Sequence, residues 1–177
     1  LLHRLRLARR RAVGGVRQSD VDAGVEFVPL PGVRLNGTLF YNRLNNAIAN
    51  VTLAHGPGTF PGVGFVSAAG VYRMRDNLDS VRAQGAEIEA SVNLGKWNAG
   101  ISYAYVDAKV RASGTALTLD GLRPAQTPKH QASGYLAWRD GERTVGVVVR
   151  YVSAQAEDDQ NSRTLDNALT LDATLAW

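Results

Sequence analysis

Seven runs of strict period-two alternation, joined by connections that are short and long in turn, constrain this chain more than any other feature. The last run is the clearest. ALTLDATLAW, residues 168–177, sets Leu169, Leu171, Ala173, Leu175 and Trp177 on one face, with Thr170, Asp172, Thr174 and Ala176 on the other. About ten residues is the length a tilted strand needs to cross a bilayer. The other runs cover 20–27, 33–42, 85–93, 97–106, 131–138 and 144–151, each with one apolar face. Short turns fall near Pro31, Gly95 and Asp140, where Asp140-Gly141 is a strong hairpin signal. Long connections are expected over 44–77, 109–129 and 153–167. Sorting turns to one side and loops to the other is how an outer-membrane barrel is built, whereas a soluble sandwich has no reason to do it.

The aromatic residues give a second line of argument. Trp97 opens a strand, Trp138 and Trp177 each close one, and all three fall at the short-turn end on the apolar face. Indole rings collect at the membrane–water boundary, so the three are expected to form a girdle. Tyr41, Tyr103, Tyr105 and Tyr151 lie towards the other end, where a second belt would sit. On the opposite face the pattern turns Glu26, Arg34, Asn36, Glu87, Glu89, Asn93, Arg150 and Asp172 inward. A small packed barrel could bury that many charges only with dense pairing; a wide lumen holding water or a plug accommodates them. The expected fold is therefore all-β: an antiparallel meander of about seven long strands that forms an open segment of a larger transmembrane barrel.

Charge narrows the alternatives. The 177 residues carry a formal charge of +4, which invites a nucleic-acid reading. Six basic residues, Arg4, Arg6, Arg9, Arg10, Arg11 and Arg17, lie in the first nineteen, and from Val21 onward fourteen Lys and Arg face fifteen Asp and Glu. The basicity belongs to the head, so no nucleic-acid partner is expected. Residues 1–19 differ in composition from everything after them and are expected to be a non-native or disordered head, with 20–177 the barrel strands. Cysteine is absent, which excludes thiol catalysis and Cys-ligated zinc. Mean hydropathy is −0.17, and no window reads as a spanning helix; that leaves spanning strands open.

No motif here carries catalysis, a cofactor or a metal. Glu87 and Glu89 share a face but have no apolar pocket to raise one pKa, so lumen wall or plug contact is the expected role. Glu157-Asp158-Asp159 reads as a solvated acidic loop rather than a cation site. His130, at a strand entrance after Pro128, is expected to close a loop through a hydrogen bond. Ligand-contacting candidates lie in the long Gly- and Pro-rich stretch: His55, Phe60, Phe65, Tyr72 and Arg73.

The runs GVEFVPLPGVRLNGTLFYNRLNNAIANV, NLDSVRAQGAEIEASVNLGKWNAGISYAYVDAKV and LRPAQTPKHQASGYLAW, with the closing LTLDATLAW, resemble the C-terminal barrel strands of TonB-dependent outer-membrane receptors. The resemblance covers about residues 20–177. It implies an open segment of a 22-stranded transmembrane barrel in the Gram-negative outer membrane, with no enzymatic activity. The implied transport is active uptake of a scarce nutrient, such as a ferric siderophore or cobalamin. Implied partners are outer-membrane lipid, the N-terminal strands and plug domain of a parent receptor, the TonB complex through that parent, and the barrel-assembly machinery through the C-terminal strand. Other readings are a structural or adhesin-type outer-membrane barrel, and a soluble β-barrel that binds a ligand inside.

Overall fold

A computed structural model describes the backbone of residues 2–6, 10–13 and 15–177, and side chains from Gly15 onward. Its strands are β1 (Leu2–Arg6), β2 (Arg10–Val13), β3 (Val16–Phe27), β4 (Val33–His55), β5 (Gly58–Phe60), β6 (Gly64–Val66), β7 (Val71–Leu94), β8 (Trp97–Arg111), β9 (His130–Asp140), β10 (Arg143–Val152), β11 (Gln155–Ala156), β12 (Thr164–Leu165) and β13 (Ala168–Ala176). One sheet runs β1-β3-β4-β7-β8-β9-β10-β13, with β2 also against β3, and it does not close. The seven expected strands are β3, β4, β7, β8, β9, β10 and β13, each antiparallel to the next. Residues 1, 7–9 and 14, and the side chains of 1–14, lie outside the described residues, and the expectation of a non-native or disordered head lies outside with them; the described backbone of the head runs in β1, β2 and the first residues of β3.

Register carries the apolar face across the whole sheet. One row reads Val25, Gly37, Ile88, Tyr103, Ala132, Tyr151, Leu169, each residue directly opposite the next. Because the side-chain period is two, a slip of one residue in any pair would carry that strand's valines and leucines to the charged side. Among the described residues nothing covers the apolar face. Ile101 is 65% exposed, Leu39 64% and Leu171 71%, in a chain whose fully buried apolar residues are few. Ordinary soluble domains do not leave a continuous face of this size bare. No helix among the described residues is long and apolar enough to cross a membrane, so any crossing is by strands.

The inward face is polar and locally paired. Arg34 meets Glu26 at 3.2 Å, Arg150 pairs with Asp172, and Ser102 and Ser133 share a hydrogen bond of 2.8 Å. Two glycines make room for rings on this face. A Cβ on Gly85 would meet the Tyr105 backbone oxygen first and the Phe40 ring at 2.6 Å, and one on Gly100 would meet the Tyr135 ring at 2.5 Å. Phe40 and Tyr135 thus lie flat over strand positions that lack side chains, the device that compensates for a weak glycine in a sheet.

The long connections are corrected most. The stretch 44–77 is not a loop over its length. β4 continues to His55 and β7 begins at Val71, with the β5–β6 hairpin between them. At 23 and 24 residues these strands are about twice what a bilayer crossing requires, so their far halves stand beyond the membrane. Gly and Pro in 56–70 mark only the tip. Likewise β8 runs to Arg111 before a 3₁₀ turn at Gly114–Leu119.

Two substitutions in neighbouring residues test the two faces. Ile101→Arg, on the outward face, should destabilise the sheet in bilayers by about 2–4 kcal/mol, with much less for Ser102→Arg on the polar face. Urea titration of the chain assembled with the N-terminal strands of a parent receptor in lipid vesicles reads the difference. Gly85→Ala should cost about 1–3 kcal/mol by overpacking against the Tyr105 carbonyl and the Phe40 ring, and the same titration of a Phe40→Ala/Gly85→Ala double variant should recover only the share due to the ring, since the carbonyl clash stays.

Candidate functional site at the loop end of the sheet

Past the tyrosines, the inward face acquires a small apolar core. Asn46 takes a positive φ of 55°, and the facing of the β4–β7 ladder changes there: Leu44 and Ala47, three apart on one strand, pack into the same cluster. Val51, fully buried, joins Ala47, Leu78, Val110, Ala112, Ala116 and Leu119. The 3₁₀ turn supplies Ala116 and Leu119, which the backbone holds against β8 through Val110 N to Leu122 O (2.9 Å) and Gly121 N to Val110 O (3.0 Å). The even-numbered positions of β8 carry Ser102 on the polar face, so Val110 places this cluster on that side too. The second connection therefore folds back over the concave face.

The third connection crosses further. Asp159 reaches β4, accepting from Thr52 N at 2.6 Å and from Thr52 Oγ1 at 2.7 Å. Arg73 on β7 donates from Nε to the same Thr52 hydroxyl at 3.1 Å. Gln160 donates to the Thr52 carbonyl at 3.3 Å, and its side-chain oxygen lies 2.9 Å from His55 Nε2. Asn161 exchanges hydrogen bonds with the Arg123 backbone, 3.0 and 2.9 Å, which ties the second and third connections together. Thr52 is buried, so its N–H requires a partner, and the Asp159 carboxylate supplies a charge-assisted one. Between these parts lies a cavity of about 450 Å³, lined by Arg73, Arg123, Asp158 and Asp159 beside Leu78 and Leu119.

This overturns the expectation of a solvated acidic loop. Asp159 docks the loop, Glu157 pairs with Arg163 at 3.1 Å, and Asp158 closes the turn by accepting from Ser162 Oγ (2.6 Å) and Ser162 N (2.9 Å). The Ser162 hydroxyl above all holds the Asp158 carboxyl below its ordinary value of 3.8; burial, next in size, pushes it up, and the backbone N–H groups of Ser162, Gln160 and Arg163 add to the lowering.

The sequence candidates fall into two groups. His55 and Arg73 join the Thr52–Asp159–Gln160 node. Tyr72 stands opposite Ala54, and its ring lies 5.6 Å from that of Phe60, while Phe65 is exposed at the tip. Sequence reasoning missed Thr52, Asp159, Gln160 and Asn161, whose partners lie far along the chain. At the other end Trp97 stands directly opposite Trp138, which is opposite Val145, which is opposite Leu175, and Trp177 follows two residues on. The His130 N–H donates to Ser153 Oγ at 3.1 Å across the end of the β9–β10 pair, and its Nδ1 meets the Tyr103 hydroxyl of β8 at 2.7 Å, so the imidazole joins two strands where a loop closure was expected. Further down the concave face, a second hollow of about 740 Å³ is lined by Asp22, Glu26, Asn36, Glu87 and Glu89.

Comparison with known proteins follows this geometry. A family model described as TonB dependent receptor-like, beta-barrel, matches residues 19–177. The ferrichrome outer membrane transporter/phage receptor of Escherichia coli is 35% identical over 103 residues, covering 55% of this chain and 13% of that protein. Among solved structures, the ferric yersiniabactin uptake receptor FyuA from Yersinia pestis superposes with a TM-score of 0.66 at 16% identity, over 97% of this chain and 25% of that one. The unliganded ferric citrate transporter FecA gives 0.63 at 18%, over 90% and 23%. The copper transporter OprC gives 0.62 at 17%, over 88% and 22%. The chain thus spans an eighth to a quarter of the length of these proteins.

Replacing Asp159 by Ala should leave the buried Thr52 N–H unpaired, costing about 1–3 kcal/mol of loop docking. Amide hydrogen exchange should show lost protection at Thr52 and over 153–167, with the β8–β9 ladder unchanged. Acid should act on the neighbouring turn. Because the folded Asp158 carboxyl titrates below its ordinary 3.8, its stabilisation is complete above that value and is lost as pH falls through the lower folded value. Exchange at the Ser162 amide, followed from pH 6 downward, should accelerate only below about 4 beyond its intrinsic rate, and Asp158→Asn should abolish that step.

Proposed function

Because this chain belongs to the TonB-dependent receptor β-barrel family and to the outer membrane, we propose that it forms the C-terminal wall of a receptor for a scarce nutrient, such as a ferric siderophore or cobalamin. One observation carries the reading furthest. A sheet with one bare apolar flank in continuous register bears, on its opposite flank and beyond the membrane, connections that fold inward around a mixed polar and apolar cavity. That is the arrangement of a wall whose outside meets lipid and whose outer end meets cargo.

Each part then has a role. His55, Phe60, Phe65, Tyr72 and Arg73 present aromatic and cationic groups to cargo. The acidic hollow of Asp22, Glu26, Glu87 and Glu89 faces the plug, which belongs with the N-terminal strands to the parent receptor. Trp97, Trp138 and Trp177 mark the periplasmic interface, and the C-terminal strand engages the barrel-assembly machinery. Energy comes from the TonB complex, reached only through the parent. The wall itself moves a ligand and does no chemistry on it, as expected for a family of receptors. Residues 1–18 precede the family match, which begins at residue 19, and the role proposed here is that of the strands from there on.

Siderophore cargo has more support than cobalamin, since the ferrichrome relative and the yersiniabactin and citrate neighbours are all named for iron chelates. The copper transporter shows that the fold alone does not choose. The test places this chain behind the plug and N-terminal strands of a parent receptor and measures cell uptake of labelled ferrichrome and cobalamin. TonB-dependent ferrichrome uptake is expected, and Arg73→Ala should weaken ferrichrome binding about tenfold, or 1.4 kcal/mol. Uptake that persists without TonB, or the absence of uptake for either cargo by a correctly assembled barrel, would contradict the proposal.

A further inference from the structure

Three cations stand in one row on the outward flank, just beyond the tyrosines. Register puts Arg43 directly opposite Arg82, and Arg82 directly opposite Lys109. Strands lie about 4.8 Å apart, so three positive side chains share roughly 10 Å. Their chain neighbours Leu44, Val81 and Val110 turn into the core on the concave side, which turns Arg43, Arg82 and Lys109 outward. Arg17 stands one step further out on the same flank, opposite Asn45.

Like charges directly opposite one another destabilise a sheet, and this row has no internal remedy. Its next member is Ser19, opposite Arg43. Arg43 Nε donates to Asn45 Oδ1 at 2.8 Å, and among the described residues no carboxylate lies within 4.0 Å of the three cationic groups. The nearest acids on β8 and its loop are engaged elsewhere, Asp107 with Arg123 at 3.4 Å and Asp120 with Arg111 at 3.5 Å.

Depth supplies the partner. Along β8, Trp97 marks the short-turn end, and Lys109 lies four residues past Tyr105, about 13 Å along the strand. With the tilt of a barrel strand this is about 10 Å further from the membrane centre than Tyr105, at the level of the polar headgroups rather than the acyl chains. We propose that Arg43, Arg82 and Lys109 bind the phosphate of an anionic lipid headgroup in the outer leaflet, with Tyr41 and Tyr105 below it at the boundary with the acyl chains. Guanidinium groups match phosphate oxygens two at a time, and the ammonium adds a point charge, so one phosphate relieves the repulsion of the whole row. The inference rests on the reading that the odd-numbered face of β8 meets lipid.

The test uses the chain assembled with the plug and N-terminal strands of a parent receptor, in neutral detergent micelles titrated with phosphatidylglycerol or phosphatidylcholine, with retained lipid counted by native mass spectrometry. The expected result is preferential retention of phosphatidylglycerol, weakened at least tenfold in the Arg43→Gln/Arg82→Gln/Lys109→Gln variant and by added salt. Arg34→Gln, on the inward flank, should change nothing. Inorganic phosphate at the same concentration should not compete. Full competition would make the row a general anion site and overturn the assignment to lipid. Equal retention of both lipids by the unaltered chain, or an unchanged preference in the triple variant, would overturn it as well. If the triple variant does not fold, Lys109→Gln alone must show the weakening. Failure to retain either lipid would instead indict the lipid-facing reading of the flank.

Discussion

Hydrocarbon offers no hydrogen-bond partner to a peptide N–H or C=O, and each group left unpaired there costs several kcal/mol. Everything in this molecule's outer-membrane segment answers to that cost. The strands are long and antiparallel, and consecutive strands pair with each other, so the ladder satisfies the backbone without crossing connections. Where pairing ends, the constraint is unmet: β13 is paired to β10 alone, and the sheet stays open. An open edge in lipid is intolerable, which makes this wall physically dependent on further strands beside it.

The same constraint divides the side chains. In water, a face carrying Val25, Leu39, Ile88, Ile101, Val147 and Leu171 would have to be covered, and hydrophobic burial would stabilise the fold. Here, among the described residues, the substantial buried cluster lies at the loop end, beyond the membrane and on the concave side. There the environment is aqueous again, and the chain does what soluble proteins do. It collapses Val51, Leu78, Val110 and Leu119 together, pairs Asp159 with a buried N–H, and gains a shaped cavity in consequence. Membrane wall and loop end are thus built by opposite solvent logics on the same three strands, β4, β7 and β8.

Much of the wall was legible in the chain, because alternation is a local signal. Register follows from it: once each strand has one apolar face, Val145 opposite Leu175 and Trp97 opposite Trp138 are the pairings that keep all those faces together. What was not legible was where strands stop. Gly56, Pro57, Gly58 and Pro61 punctuate a tip, yet their density reads as a long loop. β4 and β7 carry few alternating apolar residues past Asn46 because the face switches there, and a period-two search loses them. The Asp159–Thr52 contact joins residues 107 apart in sequence. No spacing rule points to such a pair, and a run of three acids looks solvated until its partners are in place. The family model matches residues 19–177, while strand β3 already begins at Val16.

The central claim is that one flank of the sheet meets lipid while the other meets water. It is tested most directly by placing a nitroxide label at each position from Trp97 to Tyr105 in turn, with the barrel assembled in bilayers, and measuring relaxation by oxygen and by a water-soluble nickel chelate. Oxygen accessibility should oscillate with period two and peak at positions 97, 99, 101, 103 and 105, with the nickel chelate in opposite phase. A flat profile, or one with its oxygen maxima at Asn98, Gly100, Ser102 and Ala104, would contradict the account.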